Sequence, residues 1–251
     1  MLTSVRSLMA ASILATSAFV AAPAMAQDEG LGISVSGNAA IVTEYRFRGV
    51  DLSGGDIAIQ GGIDLSHDSG IYLGTWGSSI DEDTVGFGHT ELDIYGGWSG
   101  ELTDGLALDV GVLYYMYPNA GIDDTDYIEF YTSLGFTLGP AEATVGAAYA
   151  PKQDSLGGTD NLYIYTDVGV GIPGTPISIS GHLGYTDGFL TFTSDGDAFD
   201  WSIGADVALT ENLSVGVAYV GADGDPVDLG PPIGLYDYTD DAVVGTLSVS
   251  F

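Results

Sequence analysis

Glu44, Arg46 and Arg48 occupy alternate positions of one short stretch, Thr43-Glu44-Tyr45-Arg46-Phe47-Arg48-Gly49-Val50. In a strand the side-chain period is two, so these three charges would share one face, with Tyr45 and Phe47 on the other. Beyond residue 26 the strong bases are Arg46, Arg48 and Lys152 alone. Carboxylates recur on the polar side of similarly alternating stretches, at Asp64, Glu91, Asp93, Asp109, Glu129, Asp167, Asp200 and Asp206. Two guanidiniums facing many carboxylates have two uses. They set a transverse field across a water-filled constriction and filter what passes, or they pair with the acids and hold a narrow barrel shut. The surplus of acids predicts a preference for cations in the first case.

Other chemistry is less well supplied. There is no cysteine, which excludes disulfides, thiol chemistry and cysteine metal sites. The histidines are His67, His89 and His182, and His182 shares a polar face with Ser178 and Ser180. A lipase-like Ser–His pair would need the apolar face to reach acyl chains, and no Gly-x-Ser-x-Gly elbow is present, so no catalytic residue and no cofactor is assigned. Acids cluster at Asp81-Glu82-Asp83, at Asp123-Asp124-Thr125-Asp126, and at Asp223, Asp225 and Asp228. Such clusters can take Ca²⁺ or bridge to lipopolysaccharide through divalent ions, but none has EF-hand spacing. They read as solvated loops, and no metal is assigned.

These residues need elements to position them. Arg6, an apolar run over 8–20 and the small-x-small site Ala24-Met25-Ala26 predict a signal peptide over 1–26, leaving one domain over 27–251. No other run is apolar enough to cross a bilayer as a helix, so a membrane-embedded chain must use strands closed into a barrel. Twelve segments alternate with period two, near 33–47, 56–66, 70–78, 89–99, 105–116, 126–137, 141–150, 161–171, 176–186, 199–209, 212–221 and 242–251. Ile57, Ile59, Ile63 and Leu65 oppose Asp56, Gln60, Asp64 and Ser66; in the third segment Ile71 and Leu73 compete with Tyr72 and Trp76. The 38 glycines, many inside these segments, suit close backbone approach.

Connector lengths alternate. Those at 67–69, 100–104, 138–140, 172–175 and 210–211 are short, and those at 49–55, 79–88, 117–125, 151–160, 187–198 and 222–241 are mostly longer. Short turns at one end and long loops at the other mark outer-membrane barrels. On the apolar face Phe47, Tyr114, Tyr185, Trp201 and Tyr219 fall near the loop end, and Trp98, Phe136 and Phe251 near the turn end, as two aromatic girdles would. The expectation is an all-β, transmembrane, antiparallel up-and-down barrel of about 12 strands, apolar side out. A soluble sandwich would usually carry lysine on its edges, and these segments have none. The closing strand, ending at Phe251, is the expected contact for the barrel-assembly machinery.

The stretch from Thr43 to Val50 resembles the Tyr-Arg-Phe-Arg-Gly signature of the TorF family of porins, exported β-rich proteins of Gram-negative bacteria. Gln60-Gly61-Gly62-Ile63-Asp64, Tyr72-Leu73-Gly74-Thr75-Trp76, Glu91-Leu92-Asp93-Ile94-Tyr95-Gly96-Gly97, Asp109-Val110-Gly111-Val112-Leu113-Tyr114-Tyr115 and Tyr127-Ile128-Glu129-Phe130-Tyr131 continue it. The likeness is strongest over about 35–150. It implies an outer-membrane barrel passing small solutes by diffusion, in contact with lipid and lipopolysaccharide, and brings no catalytic set. A plugged structural or adhesive barrel is the alternative. With 35 acids to 4 bases, nucleic acid is not a partner.

Overall fold

A strand that pairs on both sides leaves no edge, and the period-two segments pair until none is left. In the computed structural model, which describes residues 26–28, 31–121, 125–228 and 235–251, twelve antiparallel strands form one closed wall. They are β1 (Ile33–Val42), β2 (Ala58–His67), β3 (Ile71–Ser79), β4 (Thr90–Thr103), β5 (Leu106–Met116), β6 (Tyr127–Leu138), β7 (Ala141–Ala150), β8 (Asn161–Gly171), β9 (Ile177–Gly188), β10 (Asp197–Ala208), β11 (Leu213–Asp223) and β12 (Ala242–Ser250). Each pairs with the next, and β12 returns to β1 with Leu247 opposite Ile41 and Val249 opposite Ala39. Phe251 extends this seam by exchanging backbone hydrogen bonds with Gly37. Ala26–Asp28 adds a short strand beside β1 where β12 has ended. The signal peptide expected over 1–26 lies, save for Ala26, outside the described residues, as do Asp123 and Asp124.

The apolar face is the outer one. Ile63 is 53% exposed, and Ile94, Val110, Ile164, Ile203 and Val249 are exposed in the same way. The third segment's ambiguity resolves with Ile71 and Leu73 outside and Tyr72 and Trp76 buried inside. The reason is a hydrogen bond. The Tyr72 hydroxyl finds Asp109 at 2.6 Å in the interior, and an apolar exterior would leave it unpartnered.

Inward tyrosines lie along the wall rather than across it. Tyr72 stands opposite Gly97, Tyr95 opposite Gly74, Tyr131 opposite Gly111 and Tyr165 opposite Gly146. A methyl at any of these glycines would meet the tyrosine's ring or hydroxyl. Glycine inside a strand here is room for a ring.

The turns at 68–70, 104–105, 139–140, 172–176 and 209–212 gather at one end, and the connectors at 43–57, 80–89, 117–126, 151–160, 189–196 and 224–241 at the other. One expectation fails at the loop end. The first strand stops at Val42 rather than 47, and the next residues fold inward. Phe47 pairs with Val50 and Arg46 with Asp51 in a hairpin. The two residues between, Arg48 and Gly49, have φ of 51° and 79°, the positive pair that a tight two-residue hairpin of the primed type needs. Phe47, expected in the outer aromatic girdle, is only 8% exposed and lies inside against Tyr115. Its alternation with charged neighbours belongs to a hairpin in the lumen, where one face meets aromatic rings and the other carboxylates.

Candidate functional site: a lumen filled at one end

The connector 43–57 fills the loop end of the barrel. Backbone hydrogen bonds tie it to its neighbours: Asp51 N–H donates to Tyr238 O at 2.9 Å, and Asp81 N–H to Leu52 O at 2.9 Å. Tyr45, Phe47, Val50 and Leu52 are buried. They join one apolar cluster with Tyr115, Tyr117, Tyr127, Leu156, Leu190 and Tyr238, contributed by the wall and by the other long connectors. Asp81, from one of the acidic clusters, caps the short helix Glu82–Val85 by accepting from the Thr84 N–H at 2.8 Å. No group of three or more His, Asp or Glu among the described residues is arranged to hold a metal ion.

Charge holds the hairpin in place. The Arg48 guanidinium donates to Glu129 Oε2 at 2.7 Å, and the Tyr115 hydroxyl donates to the same oxygen at 3.2 Å. The guanidinium carbon lies 4.2 Å from the centre of the Tyr163 ring and 4.7 Å from that of Phe47, a cation between two π faces. Arg46 pairs with Glu44 on its own hairpin and with Asp240 at 3.0 Å, and donates to the carbonyls of Gly49, Tyr238 and Asp240. Glu44, Arg46 and Arg48 therefore sit inside the barrel on a connector, not on the wall.

The wall acids divide by burial. Glu91, Asp93, Asp109, Glu129 and Asp200 are buried, while Asp64, Asp167 and Asp206 are half-exposed. Tyrosines serve the buried ones: Tyr45 donates to Glu91 at 3.0 Å and Tyr163 to Asp200 at 3.2 Å, with Tyr72 on Asp109. Tyr95 donates to Asp64 at 2.5 Å. Asp93, 0% exposed, has no hydrogen-bond partner on either oxygen. His182 joins the two levels. Its Nδ1 lies 2.6 Å from Asp167, and its Nε2 lies 2.9 Å from Asp200 and 2.8 Å from the Tyr163 hydroxyl. Opposite-charge and hydrogen-bonding chemistry thus runs from the half-exposed Asp167 on the turn side up to the Arg48 site.

On the outer wall, Tyr114 and Tyr219 near the loop end and Phe251 near the turn end are exposed, and Trp98, Phe136, Tyr185 and Trp201 are half-exposed. The loop-end tyrosines share a device. The hydroxyls of Tyr114, Tyr149, Tyr185 and Tyr219 donate to Asp126, Asp160, Asp197 and Asp241, which stand in the connector or at the start of the following strand. Each couples an apolar ring to a wet carboxylate.

The sequence places Tyr95, Tyr115 and Tyr163 on the polar face with the acids but does not assign them as donors. The period of two puts Tyr95 on the face of Asp93 and Tyr163 on that of Asp167, yet their partners are Asp64 and Asp200, on other strands. His182 lies on the polar face expected from sequence, and its partnership with Asp167 is set by cross-strand register, in which the two are directly opposite.

A closed antiparallel barrel with an apolar outer wall and charged interior defines the class of protein. The chain belongs to the family described as bacterial protein of unknown function (Gcw_chp), whose model matches residues 26–251. No curated protein sequence matches it. Among solved structures it is similar to the KdgM porin, at TM-score 0.56 and 7% identity over 86% of this chain and 98% of that one. It is also similar to the NanC porin, at TM-score 0.53 and 9% identity over 86% and 97%. A further structure, the KdgM porin in complex with disordered oligogalacturonate, aligns at TM-score 0.56 and 5% identity over 86% and 97%. At these identities the likeness is one of fold.

Proposed function

We propose that the chain is a channel in the outer membrane of a Gram-negative bacterium, passing small solutes by diffusion and preferring cations. One observation carries this: a closed twelve-strand wall with exposed Ile63, Ile94 and Val249 outside and carboxylates inside. Apolar-out, polar-in alternation in a closed barrel suits hydrocarbon outside and water within. The resemblance of Thr43–Val50 to TorF porins supports the same reading. So does the porin fold of the structural neighbours. The interior acids disfavour a polyanion such as the oligogalacturonate of the KdgM complex, and Arg46 and Arg48 are engaged by Glu44, Asp240 and Glu129. Lipopolysaccharide and the assembly machinery are the partners proposed for the outer rim and for the strand ending at Phe251.

A second reading, a plugged structural barrel, is favoured by the burial of Tyr45, Val50 and Leu52 inside the lumen. Planar-bilayer recording on refolded protein separates the two. We expect a small conductance from the full chain, a larger one once 43–57 is shortened, and a cation-directed reversal potential in a KCl gradient. Silence from both forms would select the structural barrel, and an anion-directed reversal would remove the cation preference.

A further inference from the structure

We propose that the place now held by Arg48 is a binding site for a cationic solute of the guanidinium or substituted-ammonium class, and that Arg48 is a tethered occupant which such a solute displaces. The displacement, though not the site, rests on the channel reading.

The site is built from separate elements around one cation. Glu129 from β6 supplies the carboxylate, at 2.7 Å. Tyr163 from β8 supplies a ring face at 4.2 Å. Tyr115 from β5 shares Glu129 Oε2. Asp200 from β10 lies behind Tyr163, bound to its hydroxyl. A carboxylate with aromatic faces around it is the chemistry that selects guanidinium and alkylated ammonium ions over small hydrated cations, because weakly hydrated cations give up less on leaving water.

The present occupant fits the site incompletely. Arg48 Nη1, Glu129 Oε1 and Asp200 Oδ2 are all buried and have no hydrogen-bond partner. A buried donor and a buried acceptor left unmade within one ion pair are a cost that a better-shaped cation would remove. The backbone adds to it. Arg48 holds φ at 51°, one of two non-glycine residues at positive φ among the described residues. A side chain with a Cβ is disfavoured there. Arg48 is also at the tip of a hairpin whose paired strands are Arg46–Phe47 and Val50–Asp51, a short element to move. On the turn side, Asp167 and His182 lead to Asp200 by hydrogen bonds. Asp167 is the accessible end of this file, its side chain 27% exposed against 2% for Asp200.

The test is chemical rescue. Arg48→Ala empties the site. We expect this variant to conduct more and to unfold at a lower temperature in detergent than the parent. Methylguanidinium at millimolar concentration should reverse both changes, while equal sodium chloride should not, and Arg48→Ala/Glu129→Gln should lose the response. No dose-dependence in either readout, an equal effect of sodium chloride, or the same response in the double variant would overturn the proposal. Rescue of the melting temperature without any effect on current would keep the site and sink the channel reading. If Arg48→Ala does not refold, Arg48→Lys replaces it: the ammonium keeps the charge but not the fork. Methylguanidinium should then alter current and melting at concentrations at least tenfold below those needed for the parent, and equal sensitivity of the two proteins would refute the idea.

Discussion

The two halves of the lumen are made from the same alternating strands and end in opposite states. At the loop end, Glu91, Asp93, Glu129 and Asp200 are buried under an inserted hairpin, with Arg48 as the counter-charge on Glu129 and tyrosines as donors. At the turn end, Asp64, Asp167 and Asp206 remain half-exposed, while Asp109, near the start of β5, is buried beside Tyr72. What differs is what the connectors supply. The long connector 43–57 brings Tyr45, Phe47, Arg48, Val50 and Leu52 into the barrel, whereas turns such as 104–105 and 139–140 are too short to reach inside. A carboxylate on a barrel wall is therefore neither pore lining nor plug by itself; its role follows from what covers it, a loop at Glu129 or wall tyrosines at Asp109.

The largest test of this contrast removes the loop. Replacing 44–54 by a short Gly-Ser turn should raise conductance by roughly an order of magnitude, because a barrel of this strand number keeps a lumen once its filling is gone. Unaltered current would mean that wall side chains, not the hairpin, close the loop end.

Next comes the ion pair. Glu129→Gln leaves the Arg48 guanidinium buried with one neutral acceptor, and breaking a buried pair in this way costs about 3–5 kcal/mol. Asp206→Asn in the open half should stay within about 0.5 kcal/mol. Urea unfolding in detergent compares them, and equal losses at the two positions would erase the distinction between halves.

The ring-over-glycine packing gives a smaller effect. At Gly111 a methyl would run into the Tyr131 ring, whereas at Gly181 the nearest atom lies 3.9 Å away. Overpacking costs about 1–3 kcal/mol, so Gly111→Ala should lower the unfolding midpoint and Gly181→Ala should leave it unchanged. A silent Gly111→Ala would show that the tyrosines move freely.

The smallest change is in selectivity. Neutralising the turn half with Asp64→Asn, Asp167→Asn and Asp206→Asn together should shift the reversal potential toward anions, with only a small loss of stability from the Asp167–His182 pair and the Tyr95–Asp64 hydrogen bond. If selectivity holds while stability falls, the turn half is structural too.

Much of the fold was legible in the residues. Period-two alternation located all twelve strands, and the sorting of short and long connectors gave their polarity. The site was legible only in part. Glu44, Arg46 and Arg48 were singled out for charge and spacing, but the strand pattern carried them onto the wall. Arg48-Gly49 ahead of Val50 was the turn signal that pattern overrode. Alternation puts Tyr95, Tyr115 and Tyr163 on the polar face, but which acid each serves depends on cross-strand placement, which no local pattern gives.

Sequence alone determined the strands, since their periodicity is local and written residue by residue, and its connector lengths and aromatic positions pointed to a barrel with a greasy outside. The choice between filled and open, half by half, came only with the tertiary structure. That choice depends on where residues far apart in the chain, such as Arg48 and Glu129 or His182 and Asp200, come to lie once the wall has closed, and register and loop entry fix it rather than any local pattern.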